Sequence, residues 1–296
     1  MTFDLIKYKK LFIGFSAALT LAAIVLIAVF GFRMGIDFNG GTLWQIKFSE
    51  QSVISAELAD ALKSLGAESI NVTSDEANNS LIVRALEMSE PEHQRLSGEL
   101  ASRFGALEDL RFESIGPTIG RELRNKAMIA FALVLLGISL YIAFAFRKVS
   151  QPVSSWKYGF ITLITLFHDA LIPAGFYALA GNLYGVEVDT NFIVALLVIM
   201  GFSVHDTIVV FDRIRENLLI QKGNSLEEVI NMSVNQTFAR SINTSLTLIL
   251  VLITLLIFGA SSLAWFTGLM LLGTTIGTYS SIFVASPLLT YFVRKS

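Results

Sequence analysis

The chain reads as an α-helical, multi-pass membrane protein with six transmembrane helices and one α+β domain outside the membrane. Three observations predict this. Of its 296 residues 53% are hydrophobic and only 16% charged, against about 25% charged for an ordinary soluble domain, and the mean hydropathy is +0.64. Six stretches reach or approach the roughly 20 apolar residues that cross a hydrocarbon core of about 30 Å. Between the first and second of them lies one long charged block, residues 33–126. The 22 basic and 24 acidic side chains nearly cancel and give no sign of a nucleic-acid partner, while the absence of cysteine excludes disulfides, thiolate metal sites and thiol nucleophiles.

Residues 1–10 form a short basic leader to the first span, 11–32. Its 22 residues exceed a signal-peptide core of about 7 to 15, and no small-residue cleavage motif follows, so it is expected to stay attached. The second span is 127–146, closed by Arg147 and Lys148. The third, 158–180, contains His168 and Asp169; the fourth, 190–211, contains His205 and Asp206. From Ser241 to Val293 no residue is charged, and Gly259–Ala264 is the natural turn between spans 243–258 and 265–291.

The block 33–126 holds 10 basic and 15 acidic residues, whereas the segments on the other side (1–10, 147–157, 212–240 and 294–296) hold 12 basic and 5 acidic. The positive-inside rule places the second group, and both termini, in the cytoplasm, as an even number of spans requires. Within the outward block, Thr42–Phe48 alternates as a half-buried strand, and Ser55–Leu65 followed by Gly66 reads as a capped amphipathic helix. Ser69–Ser74 reads as a polar turn leading to a hairpin at Ser80–Leu86, and a helix over 91–104 and a strand over 107–114 complete the series. That β-α-β-β-α-β order is ferredoxin-like. No metal or catalytic cluster is evident in it, and it reads as a docking or moving module; Gly40, Gly41, Gly116 and Gly120 near its two junctions permit rotation there. On the cytoplasmic side, Ser225 and Glu228 have capping-box spacing for a short helix running to about Ala239. In the last span, Gly268, Gly273 and Gly277 make a small-residue face for close helix packing.

The ionisable residues in the spans are expensive and need a reason. A carboxylate at the centre of a lipid-facing helix costs about 2.5 to 3.5 kcal/mol, so Asp169 and Asp206 should face the bundle interior with partners. Counted from the cytoplasmic helix ends, Asp169 lies about 16 Å deep and Asp206 about 8 Å deep. Arg240, just before the fifth span, can reach the level of Asp206 with its long side chain. Two readings stand for each carboxylate, a packing role and an ion relay; packing weighs more for Asp169, where Pro173 four residues on frees a backbone carbonyl. His168 and His205 are relay members or packing residues, as is Thr207. Adjacent His-Asp pairs diverge on a helix, unlike the i, i+4 spacing of a chelate, so no metal site is expected. No cofactor is expected either, and no catalytic residue: the chain lacks a P-loop, and neither Asp sits in the G-x-G-D pattern of an intramembrane protease.

Five segments in order carry a family resemblance: GIDFNGGT (35–42), IGPTIGREL (115–123), FHDALI (167–172), GFSVHDTIVVFDRIREN (201–217) and QTFARSINTS (236–245). With these the chain resembles the SecF branch of the SecD/SecF protein-export family, in the resistance-nodulation-division superfamily, and has the size of one six-helix half of that architecture. The resemblance implies that Asp206 carries the coupling proton, with sodium as the alternative ion, and that Arg240 pairs with it. His205 stands where many members have Asn, which leaves open whether the relay has an extra titrating member. Gly40, Gly41, Gly116, Pro117 and Gly120 fall in the family's junction motifs. The implied partners are SecD in a heterodimer, the SecYEG translocon, the translocating preprotein and the bilayer of the cytoplasmic membrane. The implied work is gradient-driven promotion of protein export. Alternative readings are half of a small-molecule or lipid exporter of the same superfamily, normally twelve helices in one chain, and a structural assembly subunit.

Overall fold

The structure is a computed structural model and describes residues 4–49, 53–75, 79–147, 153–221 and 223–292. Glu50, Glu76, Lys148, Lys222, Arg294 and Lys295, used in the charge distribution above, lie outside them. The chain divides into a helical unit, Met1–Arg33 with Ile129–Ser296, and a second unit, Met34–Met128.

The second unit has the predicted element order. After the short helix α2 (Ile36–Asn39) come β1 (Gly41–Phe48), α3 (Ser55–Ser64), β2 (Asn71–Asp75), β3 (Ser80–Ala85), α4 (Glu90–Phe104) and β4 (Leu107–Ile115). The strands form one antiparallel sheet in the order β2-β3-β1-β4. Alternation along β1 turns Trp44 and Ile46 inward, where Leu58 and Leu62 of α3 and Leu96 and Leu100 of α4 close over them, all fully buried. The indole of Trp44 donates to Asp109 Oδ1 at 2.5 Å, satisfying its one polar atom. Two readings are corrected: the expected turn at Ser69–Ser74 contains the start of a strand, Asn71–Asp75, with Val72 opposite Val83, and the hairpin expected at Ser80–Leu86 is the single strand β3 paired with it. β2 pairs with a neighbour on one side only, and its polar side chains are tolerated at such an edge.

The helical unit contains six helices long and apolar enough to span a membrane, and the protein is a multi-pass membrane protein. They are α1 (Lys9–Phe30), α5 (Pro117–Ala145, which begins in the second unit), α6 (Ser155–Tyr184), α7 (Thr190–Ile220), α8 (Leu226–Phe258) and α9 (Ala264–Ser280). A π-helical stretch, Ser281–Ala285, continues α9. The apolar cores match the predicted spans, but several helices run past them. α5 starts ten residues before 127, with Pro at its first position and a Glu122–Lys126 pair at 2.7 Å. α7 runs nine residues past 211 with Arg213–Glu216 at 2.7 Å, and such pairs support a helix in water as readily as apolar residues do in lipid. The separate cytoplasmic helix is also corrected. The capping box forms, Ser225 and Glu228 bonding reciprocally, but the helix it opens is α8 itself, which continues through 226–258 without Gly or Pro.

α6, α7 and the α9 segment supply most of the buried interior. Glycines set the spacing. A Cβ on Gly175 would lie 2.6 Å from Ala23 Cα of α1, and one on Gly277 3.0 Å from Ser203 Cβ of α7. Gly273 likewise meets Ile199 of α7, whereas Gly268 has open space beside it, so two of the three predicted small residues serve packing within the chain.

Candidate intramembrane proton site

Asp206 is 2% exposed on the inner face of α7. One carboxylate oxygen, Oδ2, accepts from Ser245 Oγ of α8 at 3.3 Å, and Thr278 Oγ1 of α9 donates to that same Ser245 oxygen at 2.7 Å. Three fully or nearly fully buried hydroxyls stand within a helical turn of these residues and have no partner among the described residues: Thr207 beside Asp206, Ser241 before Ser245 and Thr274 before Thr278. Buried hydroxyls normally bond a backbone carbonyl or a water. Hydroxyls at these places offer polar positions for water or a proton on three helices.

Arg240 does not pair with Asp206 in this conformation. It is exposed on α8, and no ion pair joins the two among the described residues. Because α8 is one continuous helix, Arg240 lies five residues before Ser245, which turns it about 140° away from the side that meets Asp206. Counting depth along one axis does not register that rotation. His205 is also exposed, on the outer face of α7.

Asp169 is fully buried on α6 and is better satisfied. His168 Nδ1 lies 2.8 Å from its Oδ1, and Oδ2 accepts from Ser280 Oγ of the α9 segment at 2.7 Å and from Ser203 Oγ of α7. α6 continues unbroken through Pro173. Ser203, Ser245 and Ser280 were missed as site residues. Their only signal was position, serine at helical spacing on otherwise apolar faces, which packing explains equally well.

The junction residues meet one another within the second unit. Gly40 and Gly41 have φ of +76° and +121°, which glycine alone adopts without strain. A Cβ on Gly40 would lie 2.7 Å from Pro117 Cα, and one on Gly120 2.8 Å from the nitrogen of Gly40. Gly116 faces the Glu87 carboxylate, with a built Cβ at 3.1 Å. Gly40, Gly41 and Gly120 are thus points of close approach to backbone, and Gly116 one of close approach to a side chain. No group of His, Asp and Glu suited to a metal occurs among the described residues.

Six spans, one α+β unit and buried carboxylates in the bundle define a polytopic membrane protein with an intramembrane ionisable site. Comparison with known proteins gives the family. A model described as "Protein export membrane protein SecD/SecF, C-terminal" matches residues 97–295 and one described as "SecD/SecF GG Motif" matches 25–51. The chain is 44% identical to the protein translocase subunit SecF of Thermobaculum terrenum, over 99% of this chain and 94% of the relative. It is 33% identical to the protein translocase subunit SecDF of Bacillus subtilis, over 96% of this chain and 37% of that one. The crystal structure of SecDF from Thermus thermophilus superposes with a TM-score of 0.83 at 33% identity, covering 98% of this chain and 38% of that one. The chain belongs to the SecD/SecF family of protein-export membrane proteins.

Proposed function

We propose that this chain is the SecF-type subunit of a SecD–SecF heterodimer in the cytoplasmic membrane and uses the proton-motive force to promote preprotein export through the SecYEG channel. Its relatives are named translocase subunits, and relatives carrying both halves in one chain support assembly with SecD. Charge asymmetry supports cytoplasmic termini and an outward-facing second unit. It is not an enzyme and has no cofactor. The coupling ion is H⁺, with Na⁺ as the alternative that carboxylate and hydroxyl oxygens would also suit.

One observation carries the reading. Asp206 is almost fully buried in the membrane bundle with no cation paired to it among the described residues, and the donor to its Oδ2 is a neutral hydroxyl, Ser245. A carboxylate in that position is held at a cost, and taking up an ion relieves it. In this mechanism Asp206 loads a proton from outside, and Arg240 pairs with the deprotonated carboxylate after a rearrangement of α8 against α7 and releases it on reloading. Thr207 borders the path, and His205, exposed on the outer face of α7, is its relay candidate on the far side of the helix. The outer unit moves about its junctions at Gly40, Gly41, Gly116, Pro117 and Gly120 as the site loads and empties. One charge crossing 100 mV is worth about 2.3 kcal/mol, enough to bias two orientations by a factor of tens.

The test is translocation into sealed vesicles containing the assembled complex under an imposed proton or sodium gradient. Asp206→Asn keeps the size and hydrogen bonding of the side chain but cannot titrate; the variant should assemble and lose the gradient's stimulation. A variant that responds to the gradient like the parent makes Asp206 a packing residue and removes this mechanism.

A further inference from the structure

We propose that His168 and Asp169 form a second proton-binding site in the bundle, separate from Asp206 and exchanging a proton with it. The inference rests on the proton-coupled reading above and adds a site to it.

When Asp169 is ionised it only accepts, and His168 Nδ1, 2.8 Å from its Oδ1, then carries the hydrogen of that bond. The titratable position is then Nε2, which is buried and has no partner among the described residues. It is the one polar atom of the site left open, since both Asp169 oxygens are occupied.

Charge supplies the reason to bind there. The donors to Asp169 from its neighbours are the neutral hydroxyls of Ser203 and Ser280, and no Lys or Arg is paired with it among the described residues. With a neutral ring the site carries one uncompensated negative charge at zero exposure; with a proton on Nε2 it becomes an imidazolium–carboxylate pair of net charge zero, the state a low-dielectric interior favours. Uptake forms one N–H bond on Nε2 at the expense of a hydronium ion. Transfer breaks that bond and forms an O–H bond on Asp206, and the electron pair stays on Nε2.

The same helices serve both carboxylates. Ser203 bonds Asp169, and Asp206 follows it three residues later on α7; Ser280 bonds Asp169, and Thr278 two residues earlier bonds Ser245, the donor to Asp206. Thr207, unpartnered and buried, follows Asp206 one turn beyond Ser203. Besides buried Asp206 and exposed His205, α7 carries Asp212, Arg213, Arg215 and Glu216 six or more residues past Asp206; the tyrosines include buried Tyr158 and Tyr177 on α6, Tyr279 on α9, bonded to Ser16 of α1, and exposed Tyr141 on α5 and Tyr291. α1 has no ionisable side chain between Leu11 and Phe30. Among the described residues Asp206 is the one other buried carboxylate, and it is the exchange partner.

Because the chain has three histidines, ring-¹⁵N NMR can isolate this one. The chain carrying His93→Gln and His205→Gln is labelled, combined with unlabelled SecD-type partner and reconstituted in phosphatidylethanolamine–phosphatidylglycerol vesicles. Followed across the pH range over which the complex stays assembled, the ring should be seen both with one proton and with two, and adding Asp206→Asn should displace the midpoint of that change. A ring fixed in one protonation state across that range overturns the second site; a midpoint unchanged by Asp206→Asn overturns the exchange. Should the double histidine variant not assemble, His168→Gln in the otherwise native labelled chain identifies the signal by difference. Gradient-driven export by Asp206→Asn in the same vesicles reports separately on the parent reading, so failure of one is distinguishable from failure of the other.

Discussion

Thr278 and Ser280 stand two residues apart on the α9 segment and serve different carboxylates, Thr278 through Ser245 to Asp206 and Ser280 directly to Asp169. One strip of helix thus touches both ionisable sites from opposite sides. Replacing either hydroxyl leaves a buried acceptor short of a donor, a loss of about 1–3 kcal/mol. Ser280→Ala should therefore lower the thermal stability of the assembled complex. Thr278→Val keeps the β-branched shape and should alter the gradient dependence of export more than stability. Equal effects of the two on both measurements would mean that the strip does not separate the sites.

Glycine packing makes a second contrast. Gly277 has Ser203 Cβ 3.0 Å from where its own Cβ would be, whereas Gly268 has nothing within 4 Å. Gly277→Val should destabilise the bundle by about 1–3 kcal/mol through overpacking, seen as a lower yield of folded complex, and would disturb Ser203 and hence Asp169. Gly268→Val should be tolerated. If Gly268→Val proved as damaging, that face would be shown to meet something outside this chain.

The long α8 depends at its start on a pair of bonds, Ser225 Oγ to the Glu228 amide at 3.3 Å and Glu228 Oε2 to the Ser225 amide at 2.9 Å. Ser225→Ala removes the cap at a cost of about 0.5–2 kcal/mol. Hydrogen exchange should speed up over residues 226–232 and stay unchanged in the apolar part of α8. Unchanged protection in the first turn would show that packing of Val229 and Ile230, both fully buried, holds the start of the helix without the cap.

How much was legible in advance follows from the periodicities involved. The apolar cores of the spans, the alternation that buries Trp44 and Ile46, and the Ser225–Glu228 box all depend on neighbours close in sequence. Helix ends did not, because Glu122–Lys126 and Arg213–Glu216 extend α5 and α7 beyond the hydrophobic signal. β2 was hidden because an edge strand needs only one apolar partner, Val72 against Val83. Asp169 and Asp206 announced themselves through the cost of burial, but their hydroxyl donors are serines from other helices, and no local pattern marks a serine as a donor to a carboxylate 34 or 39 residues away.

Topology can be tested directly because the native chain has no cysteine. A cysteine at Ser97, on α4 of the second unit, should react with a membrane-impermeant maleimide from outside intact cells, and one at Asn224, exposed before α8, only after the membrane is opened. The reverse pattern would invert the orientation on which proton entry from the outward side depends.

Arg240 offers the sharpest separation of function from fold. It is exposed and not paired with Asp206 in this conformation, so Arg240→Met should change stability by no more than about 0.5 kcal/mol, as surface substitutions commonly do. If the guanidinium meets Asp206 only during the cycle, the loss appears in coupling: export without a gradient should persist and its stimulation by the gradient should disappear. A double-mutant cycle with Asp206→Asn then gives two different answers. In unfolding, the two substitutions should add within about 0.3–0.5 kcal/mol, as uncoupled sites do. In gradient-driven export, the double variant should be no worse than either single one, because both remove the same step. Additivity in export would show that the two residues act independently, and coupling in unfolding would show that they already interact in the resting state.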